Sequence, residues 1–232
     1  MIADDAELLG RYAANRDEAA FAELVRRYLN LVYFAALRQV GGDAHRAEDV
    51  AQLVFTRLAD RASALVRHQT LAGWLHTTTR FAASEMMRTE RRRLAREQEA
   101  HTMHELFPGS NPAAHADWER LRPIIDAALG DLSEADREAV LLRFFAGRPL
   151  AEIGARLNVS ENTARMRVER ALEKLELLLA KRGVTSTSAA LGVALGGQTA
   201  LAAPAGLAAS VTSAALAGSV ATSATATAGG VF

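Results

Sequence analysis

The chain has 232 residues with 27 acidic and 27 basic side chains, so its formal net charge is zero. It holds no cysteine, which excludes disulfide scaffolds, thiolate zinc sites and thiol nucleophiles. The length suits one or two ordinary hydrophobic cores, and the zero charge argues, at first, against a polyanionic partner.

The average hides an uneven distribution. The last charged side chain is Arg182, so all the charge lies in residues 1–182. There the charged fraction is about 30%, above the ~25% of an average domain. Residues 183–232 are Ala, Gly, Ser and Thr with a few aliphatics, Gln198, Pro204 and a final Phe232. Within the body the opening stretch is acid-rich (Asp4, Asp5, Glu7, Asp17, Glu18, Glu23). Residues 80–96 are basic (Arg80, Arg88, Arg91, Arg92, Arg93, Arg96), and Arg165, Arg167 and Arg170 form a second basic cluster. Local sign governs polyanion binding, because fields act within a Debye length of roughly 8–10 Å.

In chain order, Phe21, Leu24, Val25, Tyr28, Val32 and Ala35 keep a helical period and predict a long amphipathic helix. Gly41-Gly42-Asp43 ends it. A second helix is predicted from about Ala44 to Asp60, with Val50, Val54 and Leu58 on one face. Residues 61–70 read as a loop, and a third helix runs from Leu71 to about Arg96. Residues 97–116, with Pro108-Gly109-Ser110-Asn111-Pro112, read as an interdomain linker. Helices resume near Asp117, and Ser133-Glu134-Ala135-Asp136 resembles a capping box for a helix ending at Gly147. No stretch alternates with period two, so the fold class is all-α.

Residues 149–180 carry the most specific pattern. Pro149 suits a first helical position, and Leu150, Ile153 and Leu157 supply an apolar face. Gly154 lets a second helix pass close, Asn158 tolerates a left-handed turn, Val159 plugs it, and Ser160 caps the helix from Glu161 to about Ala180. Together they predict a helix-turn-helix. Val168, Leu172 and Leu175 face inward, leaving Arg165, Met166, Glu169 and Arg170 outward. Arginine can read guanine and glutamate can accept from cytosine. A plain helical hairpin with salt-bridged Arg and Glu is the structural alternative.

The arrangement resembles the sigma-70 family of bacterial RNA polymerase sigma factors, and within it the small extracytoplasmic-function group. The first signature is Ala47-Glu48-Asp49-Val50-Ala51-Gln52-Leu53-Val54-Phe55, similar to the family's polymerase-docking helix. Asp49, Gln52 and Thr56 stand at i, i+3, i+7 on one polar face, and Leu53 replaces the usual Glu. The second is Leu71-Ala72-Gly73-Trp74-Leu75 followed by Arg80 and the arginine run, similar to the stretch that reads and opens the −10 promoter element. There Phe81 replaces the usual Asn and Glu85 the usual Asp. The loop at 61–70 matches the family's place for capturing a flipped −10 base. The third signature is residues 131–175, similar to the −35-reading region.

The resemblance implies domains at 10–96 (polymerase binding, −10 recognition and melting) and 117–182 (−35 recognition), with the linker at 97–116 and the tail at 183–232. It implies polymerase contacts at Asp49, Gln52, Leu53 and Thr56, and −10 contacts at Trp74, Arg80, Arg88, Arg91 and Arg92. The −35 contacts it implies are Ser160, Thr163, Arg165, Met166, Arg167 and Arg170. The implied partners are core RNA polymerase, at its clamp and flap, promoter DNA and an anti-sigma factor. No catalytic residue, metal or cofactor is implied. The two elements lie roughly 50–70 Å apart on the duplex, and a linker of about twenty residues reaches roughly 65 Å.

Two other readings compete. A helix-turn-helix repressor or response-regulator output domain would not need the Asp49/Gln52 face or the basic third helix. A metal enzyme could use His101 and His104, but no third ligand stands near them. His45, His68, His76 and His115 read as surface residues. The tail reads as a disordered or weakly helical appendage, because its best apolar window has too few Leu and Val for insertion. Its alternatives are a weak helical hairpin, a membrane-interacting regulatory segment or one folded back on the body. With no leader segment in this sequence, a cytoplasmic location is expected.

Overall fold

The computed structural model describes residues 4–67, 70–100, 124–184, 187–196 and 203–227. Among them there is no strand, as the sequence predicts. The helices are α1 (Asp5–Asn15), α2 (Glu18–Gln39), α3 (Ala44–Asp60), α4 (Ala62–Leu65) and α5 (Leu71–Ala100). After these come α6 (124–130), α7 (Glu134–Phe144), α8 (Leu150–Arg156), α9 (Glu161–Ala180), α10 (Ser188–Gly196) and α11 (Leu207–Thr227).

The helix starts are chemically marked. Asp17 accepts from Ala20 N, Asp43 from Arg46 N, Ser133 from Asp136 N and Ser160 from Thr163 N, at 3.1–3.3 Å. Each satisfies an amide that the helix itself leaves unpaired. Gly41 and Gly42 take positive φ (69° and 85°), which closes α2 where the glycine pair predicts it.

Helices α1–α5 form the first domain around Leu24, Val32, Val50, Val54, Phe55, Leu58 and Leu75, all fully buried. Tyr12 stacks on Phe21 with centroids 4.7 Å apart, fixing α1 to α2. Helices α6–α9 form the second domain around Leu129, Leu141, Ile153 and Leu175.

Several expectations change. Helix α1 starts at Asp5, ahead of residue 10 where the resemblance starts the first domain, and it buries Leu8, Leu9 and Tyr12. The loop at 61–70 contains the one-turn helix α4, held by burial of Ala62 and Leu65 against α1. Pro149 is the N-cap of α8, one position before the expected site. Helix α5 continues to Ala100, into the expected linker. The rest of that linker, with His101, His104 and His115, lies outside the described residues, as does His68. His45 is exposed, but His76 is buried, because Asp126 offers it a partner that sequence spacing does not show.

The tail, over its described residues, forms two helices packed on the body. Helix α10 lies on α9 and α7, and α11 lies along α3 and α2. Leu191, Leu195, Leu207, Val211 and Ala215 are buried. Among the described residues, no helix is long and apolar enough to cross a membrane.

Candidate functional site

The helix-turn-helix has the predicted turn. Asn158 takes φ 54°, and Val159 N donates to Gly154 O at 2.8 Å. A Cβ on Gly154 would lie 2.8 Å from Val159 O and 3.2 Å from Glu161 N, so only glycine lets the two helices meet this closely. Ser160 Oγ lies 2.8 Å from Thr163 Oγ1, so these two candidates also organise the start of α9. Beyond them Arg165, Met166, Glu169 and Arg170 are exposed and Arg167 is half-buried. Arg165 reaches Glu161 only at 3.9 Å, with both side chains largely in solvent, so the plain salt-bridged hairpin gains little support.

On α3, Asp49, Gln52 and Leu53 are exposed on one side, and Thr56 is half-buried with its Oγ1 donating to Gln52 O at 2.9 Å. Leu53 turns toward Ala82, Glu85, Met86 and Thr89 of α5, and together they line a shallow groove. Arg46 ties these helices together through Glu90 at 2.6 Å.

Helix α5 divides its candidates between two faces. Trp74, Thr78 and Phe81, at i, i+4, i+7, line an open pocket of about 360 Å³ with Arg57, Asp60 and Arg61. Phe81 is 69% exposed, high for so large an apolar ring. An aromatic pair flanked by two arginines suits the faces of unstacked bases. The sequence signal for this pocket was the heptad spacing of Trp74 and Phe81 opposite an arginine pair at the end of α3. Arg80 is not brought to this face. Its guanidinium lies over Gly130, where any Cβ would collide with it. Arg88 and Arg92 are exposed further along α5, and Arg91 lies on the same helix with its side chain outside the described set.

Arg80 turns away because the second domain is docked against the first. Asp126 of α6 accepts from Arg38 Nε at 3.2 Å, Arg38 Nη2 at 3.0 Å and Gln39 Nε2 at 2.9 Å, with His76 Nε2 at 3.2 Å. Burial raises the Asp126 pKa, but the Arg38 charge and the hydrogen bonds outweigh it and leave the carboxyl well below the usual range. Burial lowers the pKa of His76 in spite of Asp126, which favours the neutral ring.

Glu138 of α7 accepts from Ala72 N at 3.2 Å and Gly73 N at 2.6 Å, capping α5 from the other domain. Burial pushes its pKa up to about 7 despite those two donors. Asp5 pairs with Arg156 of α8, with Arg27 and with the Tyr28 hydroxyl. Desolvation lowers the Arg156 pKa to about 10. None of these three clusters is a metal site: among the described residues no group of acidic and histidine side chains could hold one.

Comparison with known proteins decides the family. Residues 24–93 match Sigma-70 region 2, and residues 128–176 match Sigma-70, region 4. The ECF RNA polymerase sigma factor SigE of Mycolicibacterium smegmatis is 33% identical, over 77% of this chain and 70% of its own length. The chain belongs to the sigma-70 family, in its extracytoplasmic-function group. It is a sigma factor that recognises promoters for transcription initiation.

The sigma factor CarQ of Myxococcus xanthus is 31% identical, over 69% of this chain and 89% of its own. The solved sigma factor RpoE, in complex with the anti-sigma factor NepR from Bartonella quintana, is 21% identical. It covers 68% of this chain and 97% of its own, with a TM-score of 0.30, too loose to speak to domain arrangement or partners. Region 2 therefore contains α3 and most of α5, and region 4 contains the helix-turn-helix.

Proposed function

We propose that this sigma factor divides its work among three surfaces. The outer side of α3, with Asp49, Gln52, Leu53 and Thr56, docks on the clamp of core polymerase. The exposed side of α9 reads the −35 element, with Arg165 and Arg170 toward base edges and Arg167 toward phosphate. Ser160 and Thr163 hold the start of that helix at the backbone, and Met166 supplies apolar contact. Each good bidentate pair discriminates by about 1–3 kcal/mol.

Region 2 opens the −10 element. Trp74 and Phe81 stack on unpaired bases, and Arg88, Arg91 and Arg92 hold the backbone. Arg80 joins them once region 4 has moved off Gly130. Melting costs about 1.4 kcal/mol per base-pair step, and base–aromatic stacking returns about 1–3 kcal/mol per base. The chain acts by binding, in the cytosol where polymerase and DNA meet. An anti-sigma protein is proposed as a further partner on the family resemblance alone. The observation that carries the reading is the open face of α9 behind a tight Gly154–Val159 turn.

Run-off transcription with core polymerase on a promoter library tests it. The native chain should select a −35/−10 consensus. D49A/Q52A should abolish core binding while leaving the helical spectrum intact. R165A/R170A should relax the −35 preference alone. Initiation that ignores the −35 sequence in the native chain would overturn the assignment to α9.

A further inference from the structure

Region 4 is held on region 2 by more than the facing surfaces of the two domains. The described residues of the uncharged segment after Arg182 lie on both domains. On region 4, Leu191 and Leu195 are buried, Gly192 packs toward Leu172, and Ser188 N is capped by Glu176 Oε2 of α9 at 2.8 Å. On region 2, Ala203 N donates to Asn30 Oδ1 of α2 at 3.0 Å, and Leu207, Val211 and Ala215 are buried along α3 and α2. One end of the segment is thus seated on each DNA-binding domain.

Leu195 and Ala203 stand eight residues apart in sequence, so these two anchors can separate by at most roughly 29 Å. The other connection, from Ala100 to Ile124, is three times as many residues and can reach roughly 80 Å. As the domains part, the C-terminal connection becomes taut first. Promoter elements roughly 50–70 Å apart require them to part. They must also uncover Arg80, now under Gly130, and release the α5 start from Glu138.

We propose that residues 187–196 and 203–217 act together as an intramolecular clasp that holds the two domains closed, and that one of these two parts must leave its domain before both promoter elements are bound. The clasp raises the free energy of the open state, so it lowers initiation until something displaces it. The inference rests on the two-domain promoter reading above, and its first readout does not involve DNA.

The test uses the full chain, which has no native cysteine to interfere. Fluorophores on S63C and E173C, exposed positions on α4 and α9, report domain separation by energy transfer. Two variants loosen opposite ends, L191D/L195D on α10 and L207D/V211D on α11. A third inserts about twenty Gly and Ser residues after Gly197, which lengthens the tether and leaves both helices their packing.

Each should increase the open population and raise run-off initiation by about fivefold or more. Unchanged energy transfer in all three would overturn the clasp, whatever transcription does. Opening without any gain in initiation would also overturn its inhibitory role. If the native chain initiates nowhere, the promoter reading fails, while the energy-transfer result still decides whether the clasp exists.

Discussion

Asp126 concentrates the closed arrangement in one carboxylate. Arg38 and Asp126 are 5% and 0% exposed, and the Arg38 guanidinium also lies 4.8 Å from the Phe145 ring centre. A buried pair is expensive to break and cheap to replace as a whole. D126A should therefore cost about 3–5 kcal/mol in urea unfolding followed by circular dichroism, because it leaves Arg38 charged and buried. R38M/D126L should cost clearly less than D126A. Equal losses would mean that the pair contributes through shape rather than charge.

Glu138 gives the same interface a pH dependence. Its pKa is about 7 when docked and ordinary once the domains part, so the closed form binds the extra proton. Its contribution is full below about pH 4.5 and is lost as pH rises through about 7. His76 acts oppositely, since its lowered pKa makes the closed form resist protonation below its ordinary range. The difference between native chain and E138Q isolates the glutamate. From pH 5 to pH 8 the native chain should open further than E138Q by inter-domain energy transfer. Parallel curves would remove Glu138 from the linkage.

At the scale of elements, legibility followed local chemistry. Helices α2, α3 and α9 could be read because an apolar 3.6 period coincides with a capping Asp or Ser and, for α2, a glycine pair at its end. Helix α4 is one turn long, too short for any period to show, and it exists because α1 gives Ala62 and Leu65 something to pack on. The tail helices carried a signal that their background hid. Leu191 and Leu195, then Leu207, Val211 and Ala215, repeat every four residues among alanines that are themselves mildly apolar. The α3 and α9 surfaces were legible as motifs. Arg80 was grouped with Trp74 by the family resemblance, and its place under α6 depends on contacts such as Arg38–Asp126, 88 residues apart. The helix-turn-helix offers the sharpest element-level test. In G154V the new side chain meets the backbone of residues 159–161, which cannot rotate away. The variant should lose about 1–3 kcal/mol and −35-dependent initiation together, whereas G10A, mid-helix in α1 with nothing near its Cβ, should gain about 0.5–1 kcal/mol and leave initiation unchanged.

For the whole molecule, zero net charge means that the chain has no net charge to draw it to DNA. Its cations work within about a Debye length of the surfaces that carry them. Stable promoter binding then depends on core polymerase to place α9 and α5 against the duplex. The isolated chain should bind promoter DNA weakly, and tight specific binding without core would contradict this account. Within holoenzyme the arginines can be separated by salt. Each neutralised phosphate contributes about −0.9 to the slope of log affinity against log salt on duplex DNA. If Arg167 contacts phosphate, R167A should flatten that slope by about 1 and weaken all −35 sequences alike. M166A carries no charge change, so it should leave the slope alone and alter the sequence preference. Anisotropy titrations of holoenzyme on labelled promoters across a salt series would read both. A slope unmoved by R167A would place that side chain off the phosphates, where its half-buried position on α9 has only a packing role.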